Sequence, residues 1–372
     1  MTLISIFAQI LPAGSRRFIK LLLVRLGLFP QINFSLKLIE NVELPEDFKE
    51  SLKQMAFFAP ETIEKFLKSY LSNDIQLVNK REKTGAPKPI FICAVKNDID
   101  RVKIQMEHHR KIGINYFVYI DNASTDGTFE WLEMQEDVTL YKVETSFDTA
   151  TKMGWLQSVM KQEGYGKWFL ILDSDELFAY PGMENIHIQK YIDFLEIKNI
   201  TTTTTPLIDM YSQEEIFSGS PCEDIRATFC FFDTFYYQKR GYINWSFWGG
   251  PRFRVFSLKN NLTKHSLFKM EKNMLIGIHE IFPSYKNTET GVTAFLLHYK
   301  FLSKDINKYI EIAKNENYFN RSEEYKIYIK HCKESHDISF YYSGSHKLTN
   351  SMDLLRINIA DKIFFEEFLN WV

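Results

Sequence analysis

The stretch from Trp168 to Tyr180, WFLILDSDELFAY, constrains the fold of this 372-residue chain more than any other. It begins with a short apolar run, 168–172, of the length of a strand that is buried on both faces. The run changes abruptly to Asp173-Ser174-Asp175-Glu176. Carboxylates two residues apart at a strand end can reach one cation, and they repel one another unless a positive charge lies between them. Because Mg²⁺ and Mn²⁺ prefer oxygen ligands, the stretch predicts a divalent metal site, although a strand followed by an acidic helix N-terminus would have the same sequence.

Composition narrows the class of protein. Hydrophobic residues make up 45% of the chain, which is enough for a packed core, and the net charge of -2 offers no electrostatic basis for binding nucleic acid. The cysteines lie far apart and form no C-x-x-C pair, which indicates reduced thiols in a cytoplasmic protein rather than disulfides or a zinc site. They are Cys93, Cys222, Cys230 and Cys332.

The first thirty residues are basic and amphipathic. No segment of the chain has the roughly 18 uninterrupted apolar residues of a membrane span. The cations of residues 1–30 follow the first apolar run, which argues against a signal peptide. A helix lying on the inner face of the cell membrane would have this pattern, and so would a helix packed on the protein, so both interpretations stay open. The cations are Arg16, Arg17, Lys20 and Arg25.

Hydrophobic periodicity divides the chain into three predicted regions. Residues 1–86 form an N-terminal helical extension, in which Pro45 and Pro60 begin two helices. Residues 87–303 alternate between strands and helices and predict an α/β fold with a parallel, doubly wound sheet. Residues 304–372 form a C-terminal helical region. The predicted strands are 90–95, 116–120, 140–143 and 168–172, the helices between them include 99–112 and 150–162, and the last helix is 353–371.

Polar residues follow three of these strands where each strand ends. Ligands of open α/β sheets bind outside the carboxyl ends of the strands, so these residues predict a site at one edge of the sheet. Asp121 can accept hydrogen bonds from a ribose or a base, and Asp126-Gly127 supplies a tight turn beside it. The chain has neither G-x-G-x-x-G nor a P-loop, so a nucleotide held here needs a metal on its diphosphate. The predicted nucleotide-binding residues at this edge are Lys96, Asn97, Asp121, Asn122, Asp126 and Asp173.

The residues just described also carry a family resemblance. The segment VKNDIDRVKIQMEHHRKIGINYFVYIDNASTDGT and the later WFLILDSDELFAYP resemble the family 2 glycosyltransferases. More closely, they resemble the branch with D-N-x-S-x-D-G-T and D-x-D-E segments that transfers sugars in bacterial surface polysaccharide or lipopolysaccharide assembly. The resemblance continues through residues 207–211, 249–256, 277–279 and 297–303 and covers roughly residues 88 to 335.

This resemblance implies a GT-A fold and an inverting, metal-dependent hexosyltransferase in the cytoplasm. The expected cofactor is Mn²⁺ or Mg²⁺, the donor is a nucleotide-diphosphate sugar such as a UDP-sugar, and the acceptor is a hydroxyl of a glycan or glycolipid. By position, Asp121 would contact uracil or its equivalent, and Asp173 and Asp175 would serve the ribose and the metal, with Asp175 the stronger candidate for direct ligation. His298 would complete the metal site, and His279 is its competitor.

An inverting transfer also needs a base for the acceptor hydroxyl and cations for the leaving diphosphate. The predicted bases are Asp209, which follows an apolar-flanked strand, then Asp224 and Glu280. The predicted diphosphate cations are Arg252, Arg254 and Lys264. A different interpretation of the two arginines is a strand with a solvent-facing edge.

Other interpretations of the same residues remain. Tyr236, Tyr237, Trp245 and Trp248 are candidates for an acceptor sugar platform or for core packing. A D-x-D phosphatase would use Asp173 as its nucleophile, but such enzymes carry the sequence on their first strand. A non-catalytic relative would bind sugar or act as a scaffold while keeping the fold, and the intact acidic site argues against it. The sequence leaves the donor sugar, the linkage and the oligomeric state undetermined.

Overall fold

A computed structural model describes residues 29–82, 85, 87–217, 224–240, 245–277, 279–287, 291–302, 304–315, 322–334 and 338–372. The predicted membrane contact through residues 1–30 lies outside these residues, except for its last two. Within the described part of the chain, no helix combines the length and apolarity that a membrane span requires.

Strands and helices alternate through the middle of the chain. The strands are β1 (Gln76–Asn79), β2 (Ile90–Val95), β3 (Phe117–Asp121), β4 (Val138–Lys142), β5 (Trp168–Ile171), β6 (Glu176–Ala179), β7 (Leu207–Asp209), β8 (Phe231–Phe232), β9 (Tyr236–Arg240), β10 (Trp245–Gly249), β11 (Leu267–Lys269), β12 (Leu275–Ile276), β13 (Ile281–Phe282), β14 (Phe295–His298) and β15 (His346–Lys347). The helices are α1 (Pro30–Glu40), α2 (Glu46–Phe58), α3 (Pro60–Leu71), α4 (Ile99–Lys111), α5 (Thr128–Glu133), α6 (Thr149–Glu163), α7 (Ile188–Ile197), α8 (Ile225–Thr228), α9 (Gly250–Phe256), α10 (Asp305–Asn315), α11 (Glu323–Glu334) and α12 (Lys362–Trp371).

The central sheet has the strand order β1-β4-β3-β2-β5-β11. Strands β2, β3, β4 and β5 run parallel, whereas β1 and β11 join the two edges antiparallel. Helices α4, α5 and α6 lie on the connections between the parallel strands, so the carboxyl ends of these strands meet at one edge of the sheet. The predicted α/β class, with a mostly parallel sheet flanked by helices, is confirmed.

Both faces of the central sheet are buried, as the apolar strands predict. Side chains alternate along β2, so Phe91 and Cys93 pack on the face that carries α4. Ile90 and Ile92 pack on the opposite face, against Trp155 of α6. The sheet is therefore a rigid support for the loops that follow its strands.

A second sheet, of order β6-β14-β7, adjoins the edge where the parallel strands end. Strand β14 is antiparallel to β6 and parallel to β7. This register sets His298 beside Glu176 on one side and beside Asp209 on the other. Strand pairing thus gathers three polar residues that are far apart in the sequence.

The N-terminal helices pack on the sheet domain. Ser69 of α3 donates to the carbonyl of Thr151 at 2.8 Å, and a side chain at Gly154 would clash with Ser69, so α3 and α6 approach closely. The prediction that residues 1–86 are helical is wrong for β1, because it pairs with β4 and protects that edge strand of the sheet. The domain divisions at residues 86 and 303 stay predictions.

Two further element predictions are corrected. Arg252 and Arg254 lie on α9 rather than on a strand, because Gly250 has a positive φ of 65° and Pro251 begins a helical turn. The predicted helix 353–371 is a 3₁₀ helix, Ser351–Arg356, followed by α12. Asp361 separates the two, since its side chain caps α12 by accepting the amide of Phe364 at 3.0 Å.

Candidate functional site

A cavity of about 1770 Å³ opens where the parallel strands end. Asn97 lines it after β2, Asn122 after β3 and Asp175 after β5. The N-terminal helices contribute Met55 and the neighbouring residues of α2 and α3, and α10 and α11 form another wall. The cavity lies outside the carboxyl ends of the strands, where the sequence predicts a site, and its role as that site stays a prediction.

Asp175 and His298 meet in the cavity. The Nε2 atom of His298 lies 3.3 Å from Oδ2 of Asp175, and its Nδ1 atom lies 2.6 Å from Oδ1 of Asp209. Asp175, Glu176 and His298 each offer one ligand atom, and these atoms lie within 4.8 Å of one another. Burial opposes ionisation of Asp175, but His298 and Arg101 hold its pKa well below the usual range. The structure therefore brings two predicted metal ligands together with Glu176, whose Oε1 atom also pairs with Lys264 and whose Oε2 atom accepts a hydrogen bond from the amide of Asp173 at 3.1 Å.

Asp173 lies two residues away and has different partners. Lys152 pairs with its Oδ1 atom, and Lys264 Nζ lies 3.0 Å from its Oδ2 atom. Lys264 also pairs with Glu176. Although burial opposes ionisation, the two lysines lower the pKa of Asp173. Both oxygens of Asp173 are thus engaged by cations, and the residue is not part of the three-ligand set.

His279 lines the cavity near Lys264. Its Nδ1 atom lies 2.7 Å from the carbonyl of Thr263. Burial and Lys264 lower its pKa to about 4, which keeps the ring neutral. In the described residues His298, and not His279, joins the set of candidate metal ligands.

The three predicted bases lie in different surroundings. Asp209 is 1% exposed, and its Oδ2 atom accepts a hydrogen bond from Nε of Arg252 at 2.7 Å. His298 engages the other carboxylate oxygen, so neither oxygen of Asp209 is available to an acceptor hydroxyl. Burial opposes ionisation of Asp209, but Arg252 and His298 lower its pKa. Asp224 caps α8 and pairs with Arg226, away from the lining of the cavity. Glu280 lines the cavity, and burial raises its pKa.

The loops that follow β2 and β3 are locked together. Oδ1 of Asn97 accepts a hydrogen bond from the amide of Thr125 at 2.6 Å. Asp126 accepts the amides of Thr128 at 3.0 Å and Ile99 at 3.2 Å. Lys96, Asn97 and Asp126 all line the cavity, but two of them also shape the loops that form its wall.

Asp121 lies beneath the cavity lining. It is fully buried, and its Oδ1 atom accepts the amide of Ser124 at 2.9 Å. Its Oδ2 atom and Oδ1 of Asn122 have no hydrogen-bond partner among the described residues. Burial raises the pKa of Asp121. Buried acceptors are normally satisfied, and Asn122 lines the cavity, so its amide oxygen is a candidate partner for a donor group of a ligand; Asp121 is not among the lining residues.

The three predicted diphosphate cations lie in different places. Lys264 lines the cavity beside Asp173, and Arg252 lines it from α9. Arg254 points to another part of the molecule, where its Nη2 atom lies 3.0 Å from Oδ1 of Asp233. The structure thus brings two of the three cations to the site.

Sequence reasoning missed several residues of the site. Lys152 lies one turn into α6, and its only signal is its position after Asp148, the residue that caps this helix. Lys300 lies 3.2 Å from Glu324, which also meets Arg252 at 3.1 Å. These partners are distant in the sequence, so no spacing pattern points to them.

Comparisons with known proteins give no family assignment. No protein-family model matches the chain, and no curated protein matches it either. Solved structures with partial likeness include the mannosyltransferase PcManGT from Pyrobaculum calidifontis in complex with GDP-Man and Mn²⁺, at 15% identity over 43% of this chain and 46% of that one, with a TM-score of 0.25.

Two more solved structures have a similar partial likeness. S. aureus TarS 1–349 is 12% identical over 62% of this chain and 64% of its own, with a TM-score of 0.29. A 4-diphosphocytidyl-2C-methyl-D-erythritol synthase is 13% identical over 36% of this chain and 66% of its own, with a TM-score of 0.22. The chain therefore spans between about half and two thirds of the length of each of these three proteins.

Proposed function

We propose that this protein is a metal-dependent glycosyltransferase that moves a sugar from a nucleotide-diphosphate sugar to a hydroxyl of a glycan or glycolipid. One observation carries the proposal: a set of candidate cation ligands, Asp175, Glu176 and His298, shares a cavity with Lys152 and Lys264. Such a cavity suits a diphosphate with its metal ion. The sequence resemblance adds the finer expectations of a UDP-sugar donor, inversion at the anomeric carbon and a cytoplasmic role in surface polysaccharide or lipopolysaccharide synthesis.

The candidate ligands fit a divalent ion. Two carboxylates and one imidazole suit Mn²⁺, and the carboxylates also suit Mg²⁺. A bound ion would neutralise negative charge on the donor diphosphate. The side chains of Asp175, Glu176 and His298 would hold it. Arg101, which is buried and pairs with Asp98 and Asp305, lines the same cavity.

Two lysines would stabilise the leaving group. Lys264 stays charged, since Asp173 and Glu176 raise its pKa although burial opposes it. In the proposed reaction the acceptor oxygen bonds to the anomeric carbon, and the proton of its hydroxyl passes to a carboxylate base. The bond from that carbon to the diphosphate oxygen breaks, and its electron pair leaves with the nucleoside diphosphate. Cations beside the diphosphate favour this charge separation.

We infer that Glu280 is the base, because it is the one of the three predicted carboxylates that is among the described residues lining the cavity. Burial raises the pKa of Glu280, which strengthens its affinity for the proton of the acceptor hydroxyl. Asp209 and Asp224 are engaged by arginines. We expect Glu280→Gln to bind the donor normally and to lose transfer.

A thermal-shift panel tests the proposal directly. UDP-, GDP-, CMP- and dTDP-sugars are each added with Mn²⁺ and with EDTA to the wild-type protein and to Asp175→Ala. We expect one nucleotide to raise the melting temperature only with metal, and only in the wild type. A rise in melting temperature that is the same with Mn²⁺ and with EDTA would favour the non-catalytic sugar-binding relative. Release of phosphate from a phosphomonoester would favour the D-x-D phosphatase.

A further inference from the structure

Asp209 is the residue that meets His298 on the side opposite to Asp175. It ends β7, and the register of β14 on β7 sets the two residues side by side. Both are buried, at 1% exposure for Asp209 and 6% for His298. Oδ1 of Asp209 lies 2.6 Å from Nδ1 of the ring, while Nε2 is the atom that lies 3.3 Å from Asp175.

This contact determines which ring nitrogen carries the proton. An ionised carboxylate can only accept, so the proton of the shared hydrogen bond belongs to Nδ1 of His298. In a neutral ring the lone pair then lies on Nε2, the nitrogen that belongs to the set of candidate ligands. A metal-binding histidine commonly donates its second N–H to a carboxylate, which fixes both the tautomer and the orientation of the ring.

A second contact fixes the orientation of the Asp209 carboxylate. Nε of Arg252 donates to Oδ2 of Asp209 at 2.7 Å, and Nη1 of Arg252 donates to Glu324 at 3.1 Å. A guanidinium has no acceptor, so Arg252 always requires an oxygen at this position. A line of alternating charges therefore runs from Glu324 on α11, through Arg252 and Asp209, to His298.

We propose that Asp209 is a positioning residue that holds His298 in the Nδ1–H tautomer and so presents Nε2 to a divalent cation, while Arg252 holds Asp209. This role replaces the one predicted for Asp209 as a base. It rests on the metal site of the proposed function, and it concerns the assembly of that site rather than the sugar transferred.

The substitution Asp209→Asn tests this role with almost no change in volume. Arg252 would claim the amide oxygen of Asn, so the amide NH₂ would turn toward Nδ1 of His298. Nδ1 would then have to accept, and the ring proton would move to Nε2, which could no longer bind a cation. The matched control is Asp233→Asn, because Asp233 is also buried, also pairs with an arginine of α9 and does not touch a candidate ligand.

Mn²⁺ affinity is the first readout, measured by electron paramagnetic resonance on the full chain without donor. We expect Asp209→Asn to bind Mn²⁺ about 10–100-fold more weakly, the range found when a residue behind a metal ligand is removed. Asp233→Asn should bind like the wild type. Folding of each variant is checked by circular dichroism. Wild-type affinity in a folded Asp209→Asn protein would overturn the proposal, whereas a wild-type protein that binds no Mn²⁺ would defeat the proposed function itself.

The tautomer is a second readout that does not depend on metal binding. Protein labelled with ¹⁵N-histidine reports which ring nitrogen of His298 is protonated, with His298→Asn used to assign the signal. We expect a proton on Nδ1 in the wild type and on Nε2 alone in Asp209→Asn. An unprotonated Nδ1 in the wild type would overturn the proposal even if Asp209→Asn did not fold.

Discussion

Asp173 and Asp175 are two residues apart, yet they belong to electrostatically opposite sides of the cavity. On the histidine side, which comprises Asp175, His298 and Asp209, burial opposes the charged imidazole, but the two carboxylates raise the pKa of His298. On the lysine side, which comprises Asp173, Lys152 and Lys264, burial and Lys264 lower the pKa of His279 to about 4. The first side thus holds two carboxylates around one imidazole, whereas the second holds two lysines around one carboxylate.

The two aspartates have different partners because each is joined to different elements at the end of the sheet. Asp173 follows β5 and reaches Lys152 on α6. Asp175 precedes β6, and its carbonyl accepts the amide of Tyr299 at 2.8 Å, which ties it to the end of β14. The two aspartates of a D-x-D segment are therefore not interchangeable ligands, because their backbones are bonded to different elements.

The largest effect is expected from Asp175→Asn. Loss of this charge removes a candidate cation ligand and leaves His298 without its partner on the cavity side. We expect Mn²⁺ binding to be lost and transfer to fall on the order of 10³-fold, as when a main electrostatic contact to the transition state is removed. Electron paramagnetic resonance and donor turnover measure the two quantities. Asp173→Asn should keep Mn²⁺ binding, and equal losses in both variants would abolish the distinction between the sides.

A smaller effect is expected from Lys152→Met. The variant removes a cation from the lysine side, so transfer should fall on the order of 10²-fold while Mn²⁺ affinity does not weaken. Lys161→Met is the matched control, since Lys161 is on the same helix but lies over the ring of Tyr70. Steady-state kinetics and Mn²⁺ titration separate the two effects. Weaker Mn²⁺ binding in Lys152→Met would contradict the division.

The next effect concerns stability in acid. Burial lowers the pKa of His265 to about 4, so the folded protein excludes a proton that the unfolded chain takes up below about pH 6.5. The free energy of unfolding should therefore fall as the pH drops from 6.5 to 4. His265→Gln should reduce this slope by about 1.4 kcal/mol per pH unit. Urea unfolding at several pH values measures it, and an unchanged slope would show that His265 titrates freely.

The smallest effect is expected from Asp224→Ala. This residue caps α8 and pairs with Arg226, outside the lining of the cavity. Loss of the cap should cost about 1 kcal/mol of stability and leave the rate of transfer unchanged. Thermal unfolding and donor turnover are compared on the same preparation. A large fall in turnover would restore Asp224 as the base.

The sheet and its loops follow from local sequence, whereas the partners of the site do not. Strand β2 matches its prediction residue by residue, because an apolar run buried on both faces has clear ends. His298 was found from a resemblance. Its contacts with Asp209 and the contact of Arg252 with Glu324 join residues 89 and 72 positions apart, which no periodicity encodes. The strand β1 was missed because its pairing with β4, rather than its own residues, makes it a strand.

The register of β14 also has a consequence for biosynthesis. Glu176 and Asp209 are translated long before His298, and β14 must pair with both β6 and β7 before the three residues meet. Pairing over such sequence distances is slow because the intervening loops must close first. His298 therefore reaches Glu176 and Asp209 only after the central parallel strands have emerged from the ribosome. The set of candidate cation ligands is thus completed by a strand that is translated after every strand of the central sheet.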